Sequence, residues 1–401
     1  KMINWSLSSD TWNNDEKNAL QRVIKSGKYT MGPEVAEFER QLAEFHGVKH
    51  AIMTNSGSSA NLLMMTAIAE HPKFNTEPRQ RFLRSPVRKN VIVPAVSWST
   101  TYFPVHQNGF DLKFVDVDRE TFNIDPQAVA EAIDQDTVAV LAVNLLGNPA
   151  ELYQLKRICD EFDLLLLEDN CESFGSRAGY LGTMGQMCGS IGHIGTLSFF
   201  FSHHLQTMEG GCVLTDDDSL VDYLKSLRAH GWVRDITGTE LYRKTGDDFV
   251  DSFKFVLPGY CVRPLDLSGA VGQEQLKKWP EMLKMRRQNA DIADIFLNTD
   301  NSKLQVETGT SSWFGFGITL QGALEGRRDE VVMWLKEEGV DTRPIVAGNF
   351  TKNPVISRLN CCPLGEYPNA DYIDQNGFFL GNDCIDLEKK IKAVGKIFGS
   401  L

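Results

Sequence analysis

Two adjacent histidines, His203 and His204, close an apolar run and lead into Gln206-Thr207-Met208-Glu209-Gly210-Gly211. Imidazole titrates near neutrality, so a histidine on a loop leaving a sheet is a ready acid/base. Two carboxylates, Asp169 and Glu172, follow the four leucines of residues 164–167. A carboxylate at the end of a buried strand can keep a pyridine nitrogen protonated; it can equally cap a helix or be solvated. The stretch Asn55-Ser56-Gly57-Ser58-Ser59-Ala60-Asn61 is small and flexible and opens a helical segment. Backbone N–H groups at the positive end of a helix dipole suit a phosphate dianion, although Ser and Gly also cap helices that bind nothing.

Strand ends must bring these groups together. Residues 197–201 suit a buried strand, Gly210-Gly211 a turn, and residues 212–215 the next strand. A short strand over 50–53 precedes the Asn55–Asn61 loop, and a helix follows it to about Glu70. Residues 91–94 form a second buried strand, with Trp98 just beyond. Strands at 113–117 and 138–143 then alternate with helices at 126–134 and 151–162, which predicts a doubly wound, mostly parallel sheet. Helices at 14–26, stopped by Gly27, and at 34–45 come before it. Residues 72–89, rich in Pro and Arg, are expected as a surface insertion, and 235–251 as a loop. After a long helix ending near Phe296, a strand at 311–320 and helices at 329–338 and 387–398 indicate a change of architecture.

A chain of 401 residues has room for two domains. Its 53 acidic against 41 basic residues leave a net charge of −12, a poor match for nucleic acid or anionic membrane. No apolar run approaches the roughly 18 residues of a membrane helix. Residues 1–12 lack a signal-peptide core, and the eight cysteines have no CxxC spacing, so a cytoplasmic enzyme with reduced thiols is expected. The adjacent Cys361 and Cys362 are candidates for reactivity.

The segment from Ser198 to Gly211 resembles the cofactor-lysine segment of the DegT/DnrJ/EryC1/StrS sugar aminotransferases, which use pyridoxal phosphate (PLP). There a Ser-Phe pair is followed by a lysine, then by an acid and Gly-Gly at the same offsets; here His203 stands at the lysine position. The resemblance implies the α/β fold of type I, aspartate aminotransferase-like PLP-dependent transferases. Its large doubly wound domain would cover residues 1–280, and a small C-terminal α+β domain residues 281–401. It further implies that the amides of Gly57 and Ser58 and the hydroxyls of Ser198 and Ser202 hold the PLP phosphate. Trp98 would stack on the pyridine ring and Asp169 would face its nitrogen. Glu172 replaces the usual glutamine near the cofactor's O3′. His230 and Arg234, in Arg228-Ala229-His230-Gly231-Trp232-Val233-Arg234, and Met31, on the loop after Tyr29, are the implied neighbours of the sugar nucleotide. Residues 253–275 resemble a segment that crosses to the neighbouring subunit, which implies a homodimer with shared sites. Arg263 matches that segment, whereas Cys261 replaces an asparagine that reaches the partner's phosphate.

Histidine at position 203 resembles the sugar 3-dehydratase branch of the family. Imidazole forms no stable imine, so PLP would be held without a covalent bond, by Trp98, Asp169 and the phosphate loop. The implied working form is pyridoxamine phosphate (PMP), its amine supplied by glutamate. The implied substrate is a nucleotide-linked 4-keto-6-deoxy sugar, GDP-4-keto-6-deoxymannose in particular. His203 would act as acid/base while the C3 hydroxyl leaves, giving a 4-keto-3,6-dideoxy sugar for surface polysaccharide such as lipopolysaccharide O-antigen. A sister enzyme of the branch also carries a [2Fe–2S] cluster, which needs closely spaced cysteines. Residues 235–260 contain none, so no iron–sulfur cluster or other metal is expected. Two other readings stand beside this one. A conventional sugar aminotransferase would need a lysine within residues 197–214, where there is none, and an inactive PLP-fold binding protein would need no catalytic group at all.

Overall fold

The computed structural model describes residues 2–74, 89–179 and 185–400. Seven strands form the main sheet: β1 (His50–Thr54), β2 (Asn90–Pro94), β3 (Asp111–Val115), β4 (Thr137–Val143), β5 (Leu165–Asp169), β6 (Ile194–Ser198) and β7 (Gly211–Thr215). Their spatial order is β1-β7-β6-β5-β4-β2-β3. The pairs from β6 to β3 are parallel, and only β7 runs against both its neighbours. Every residue of β2, β6 and β7 is buried, as expected of central strands covered by helices on both faces. One core lies between the sheet and the helices Gly57–Glu70 and Ser99–Gln107, and a second lies against Leu152–Glu161.

The early helices follow local rules. Asn13 and Glu16 cap Asn14–Ser26 reciprocally, and Gly27 ends it in the left-handed region at φ 71. Helix Pro33–His46 packs Val35, Phe38 and Leu42 on the cluster of Phe174, Phe199, Leu205 and Trp279. The 32-residue helix Asp266–Leu297 then leads to a second sheet. That sheet has the antiparallel order β10 (Thr342–Arg343), β11 (Gly377–Gly381), β9 (Gly315–Leu320), β8 (Ser302–Leu304). Trp5, near the start of the chain, is buried in the core of this second sheet and bridges Val340.

Three strand limits depart from the sequence reading. The strand expected over 197–201 ends at Ser198, because the chain turns after Phe199 and leaves Phe200 and Phe201 exposed at 45% and 41%. The strand expected at 113–117 is β3, two residues earlier. The strand expected from 311 begins only at Gly315, since Trp313 adopts φ 47, outside the β region. A short apolar run marks a buried segment without marking where its ladder stops. Most of the expected insertion at 72–89, namely residues 75–88, lies outside the described residues.

Candidate active site

The parallel strands β2, β4, β5 and β6 end on one side of the sheet, where doubly wound folds place their ligands. A cavity of about 260 Å³ opens there, lined by Gly57, Ser58, Trp98, Asp169, Glu172, Ser198, Ser202 and His203 among others. Eight of the residues singled out from sequence thus converge, although they span almost 150 positions.

Asp169, the last residue of β5, is nearly buried and fully furnished with donors. Its Oδ2 accepts from Asn61 Nδ2 at 2.9 Å and Thr101 Oγ1 at 2.8 Å, and its Oδ1 accepts from the Cys171 amide at 3.1 Å. These bonds fix the orientation of the carboxyl group in the cavity wall. Asn61 is itself fixed, because its Oδ1 accepts from Thr196 Oγ1 at 2.7 Å. Glu172 sits beside Asp169 and accepts from the Leu146 amide at 2.9 Å. Burial, opposed by that hydrogen bond and helped by the neighbouring Asp169 charge, lifts its carboxyl to about 7.

At the start of helix Gly57–Glu70, Ser56 accepts from the Ser59 amide as N-cap. Gly57 and Ser58 therefore occupy the first helical positions, whose N–H groups have no intrahelical partner. A Cβ on Gly57 would fall 2.5 Å from Ser198 Cβ and 2.8 Å from Cys171 Sγ, so only glycine permits this close approach. Gly211 is needed for the same reason, since its Cβ would meet the Ser56 carbonyl oxygen at 2.3 Å. Trp98 precedes helix Ser99–Gln107 and is 56% exposed, an open aromatic face on the cavity.

His203 lies on the connection from β6 to β7. Its ring packs edge-on to Phe200 and Phe314, with centroids 5.8 and 5.2 Å away, and its Nδ1 is buried without a partner. Burial holds this imidazole down to about 4, against the opposing influence of the Ser198 backbone and the Asp169 charge, so it is a free base at neutral pH. His204 is completely buried instead, edge-on to Trp279 and Phe314.

Four sequence candidates stay away from this cavity. Met31 packs partly buried beside Phe38 and Phe199. His230 stands edge-on to Trp232, and Arg234 lays its guanidinium over the same ring at 4.0 Å. Arg263 also approaches the Trp232 ring, at 5.5 Å, and contacts Cys261 Sγ at 3.7 Å. Conversely, Phe314, Arg343, Val346 and Phe379 reach the cavity from the second sheet and its loops, unassigned by the sequence reading. Asn61 was legible in principle as a polar residue on the buried face of an apolar helix.

A doubly wound sheet joined by a long helix to a small antiparallel sheet, with an aspartate and a helix N-terminus facing one cavity, is the architecture of the aspartate aminotransferase-like transferases. The chain belongs to the DegT/DnrJ/EryC1/StrS aminotransferase family, whose profile matches residues 10–384. Within that family it is 48% identical, over 98% of its length and 97% of the other, to a GDP-4-keto-6-deoxy-D-mannose 3-dehydratase of Yersinia pseudotuberculosis. The fold matches a crystal structure of a GDP-4-keto-6-deoxymannose-3-dehydratase with a trapped PLP-glutamate geminal diamine. The TM-score is 0.91 at 43% identity, covering 98% of this chain and 100% of that one. A variant of that kind of dehydratase with bound GDP-perosamine matches with a TM-score of 0.90 at 42% identity, covering 98% and 100%.

Proposed function

We propose that this protein is a PLP/PMP-dependent dehydratase that removes the C3 hydroxyl from a nucleotide-linked 4-keto-6-deoxy sugar, GDP-4-keto-6-deoxymannose, with glutamate as amine donor. The observation that carries the reading is the imidazole of His203 at the cofactor-lysine position, set in the cavity wall as a free base. The 48% identity to a dehydratase of that substrate supports the sugar and the nucleotide.

The residues present fit the cofactor. The close approach at Gly57, which any Cβ would block, leaves a backbone cradle for a phosphate, with Ser58, Ser198 and Ser202 around it. Trp98 offers its exposed face to a pyridine ring, and Asp169, oriented by three donors, suits a protonated ring nitrogen. Bound as its pyridoxamine form, the cofactor supplies the amine that condenses with the 4-keto group and the electron sink that lets the C3 hydroxyl depart.

This chain's own residues do the rest. His203, uncharged at neutral pH, takes the proton that must leave the reacting carbon, and its conjugate acid protonates the departing hydroxyl as water. No lysine stands at this position to recapture the cofactor, so loss of ammonia replaces transamination. Glu172, lifted to about 7, can hold a proton where relatives carry an amide. Arg343 at the cavity mouth offers a cation to carboxylate or phosphate oxygens.

Arg234, Arg263 and His230 surround Trp232, next to Phe253 and Phe255, which are 63% and 58% exposed. Their distance from the chain's own cavity supports a homodimer in which this surface serves the partner's site. All eight cysteines are free, which favours the cytoplasm, and no helix among the described residues is long and apolar enough to cross a membrane.

Purified protein supplied with PLP, glutamate and a panel of nucleotide 4-keto-6-deoxy sugars tests the reading. The expected products are a 4-keto-3,6-dideoxy sugar, 2-oxoglutarate and ammonia. An amino sugar formed without release of ammonia would make the enzyme a transaminase and overturn the proposal.

A further inference from the structure

Behind the two histidines lies a charged group that the reaction does not use. Arg286, on helix Asp266–Leu297, is only 4% exposed, and its hydrogen bonds among the described residues reach no carboxylate. Its Nη1 donates instead to three backbone carbonyls, those of Asn382 at 3.1 Å, Trp313 at 3.3 Å and Phe314 at 3.4 Å. Its Nε is buried without a partner, so the carbonyls compensate only part of the desolvation of the guanidinium, which is an expensive way to brace a backbone.

The braced segment is strained. Trp313 adopts φ 47, a conformation that a bulky residue holds only when its surroundings over-determine it. Asn382 adds a second clamp, donating from Nδ2 to the Trp313 carbonyl at 2.9 Å and to the Arg286 carbonyl at 3.0 Å. The next residue, Phe314, lines the cavity and packs its ring edge-on to both His203 and His204. The Phe314 amide donates to the Leu146 carbonyl at 2.9 Å, and the Leu146 amide donates to Glu172 Oε2, also at 2.9 Å. Leu146 is itself in the left-handed region, at φ 54. A continuous chain of contacts thus leads from Arg286 to both acid/base groups of the cavity.

We propose that Arg286 is a positioning residue for His203: its guanidinium fixes the Trp313–Phe314 backbone so that Phe314 holds the imidazole in place and, through Leu146, constrains Glu172. The proposal rests on the reading of His203 as the acid/base. The groups around His203 are Asp169 from β5, Cys171 and Glu172 from the following turn, Arg343 from β10, His204 and Glu209 from its own loop, and, behind these, Arg286 from the long helix. Asp169 favours the imidazolium; burial, and behind it the Arg286 charge, favour the free base.

Imidazole NMR titration of the cofactor-free protein, beside dehydration kinetics, tests the assignment. In Arg286→Met, the His203 midpoint should move up but stay below the ordinary imidazole value of about 6.5, because burial, the larger cause, remains. Its kcat should fall on the order of 10²-fold, the cost of a misplacement of about 1 Å, with KM for the sugar nucleotide unchanged. Arg286→Lys, which keeps the charge without the fork, should leave the midpoint low and recover only part of kcat. A folded Arg286→Met protein with the natural midpoint and the natural kcat overturns the proposal. Should that variant not fold, Arg286→Lys and Phe314→Leu decide instead: reduced kcat in both supports the linkage, and natural kcat in both ends it. A natural enzyme that dehydrates no sugar would sink the functional reading alone, because the titration needs neither cofactor nor substrate.

Discussion

His203 and His204 are consecutive in the chain, yet their rings serve different surroundings. His203 lines the cavity, whereas His204 is buried with Nε2 3.4 Å from the Ser312 carbonyl oxygen and its ring 5.2 Å from that of Trp279. Phe314 lies between them, 5.2 Å from one ring and 5.4 Å from the other. The first ring is free to move protons, and the second fills space.

Exchange of His203 is therefore expected to cost activity of a kind that exchange of His204 does not. Borohydride should fail to trap PLP on the natural protein, and dialysis should remove it. His203→Lys should become trappable and should lose dehydration by about 10²–10⁴-fold, the usual worth of a positioned acid/base. A lysine engaged by the cofactor cannot serve as the base, and its ordinary pKa of about 10.4 suits it poorly to neutral pH. His204→Ala should lower the melting temperature more than the turnover. Full dehydration by His203→Lys beside an inert His204→Ala would reverse the assignment of the two residues.

Asn61→Ala should weaken the site through Asp169. The substitution removes the 2.9 Å donor to Asp169 Oδ2 and leaves Thr196 Oγ1 with only the Glu168 carbonyl at 3.4 Å. Loss of one partner to a buried polar group costs about 1–3 kcal/mol, which thermal unfolding of the apo protein should register. Equilibrium dialysis should also show weaker PLP binding; undiminished binding would mean that Asp169 does not depend on Asn61.

Gly57→Ala should damage cofactor binding more than folding. The new methyl group would stand 2.5 Å from Ser198 Cβ, displacing the two strand and helix ends that form the cradle. Overpacking of this kind destabilises by about 1–3 kcal/mol. The diagnostic result is an apo protein that stays folded by circular dichroism while its affinity for PLP falls; unchanged affinity would remove Gly57 from the cradle.

Glu172 should leave a signature in stability against pH. Its folded-state carboxyl is lifted from an ordinary 4.5 to about 7, so between those values the native state holds a proton that the unfolded chain has lost. This group therefore lowers stability as pH rises through that window, the reverse of a salt-bridged carboxylate. His203, lowered from 6.5 to about 4, works in the opposite direction between its own two values. Denaturant unfolding of Glu172→Gln and the natural protein should diverge from about pH 4.5 to about pH 7. The glutamine variant should gain relative stability with rising pH and hold a constant advantage above that range. A difference independent of pH would place the Glu172 carboxyl at its ordinary value.

The alternation of strands and helices from residue 50 to residue 170 was legible because each element obeys a local rule. Ser56 caps the helix that begins at Gly57, and the leucines that open β5 suit a buried strand. The resemblance added the chemistry of Gly57, Trp98, Asp169, Ser198 and His203, and all five line one cavity. Strand limits were less legible, as at Ser198 and Gly315, because a ladder ends where its partner ends.

Sequence by itself determined the frame and a histidine at the position where the aminotransferases it resembles carry lysine. Tertiary structure alone decided what surrounds each histidine, His203 in the cavity wall and His204 against Trp279 in the core, because adjacent residues on a turn have no periodicity to orient them. It also decided that Phe314 and Arg343, more than a hundred residues beyond His203, close the cavity, while Arg234 and Arg263 gather around Trp232 away from it. Such contacts are fixed by the packing of the second sheet and the long helix against the first. No local pattern in a sequence carries that information.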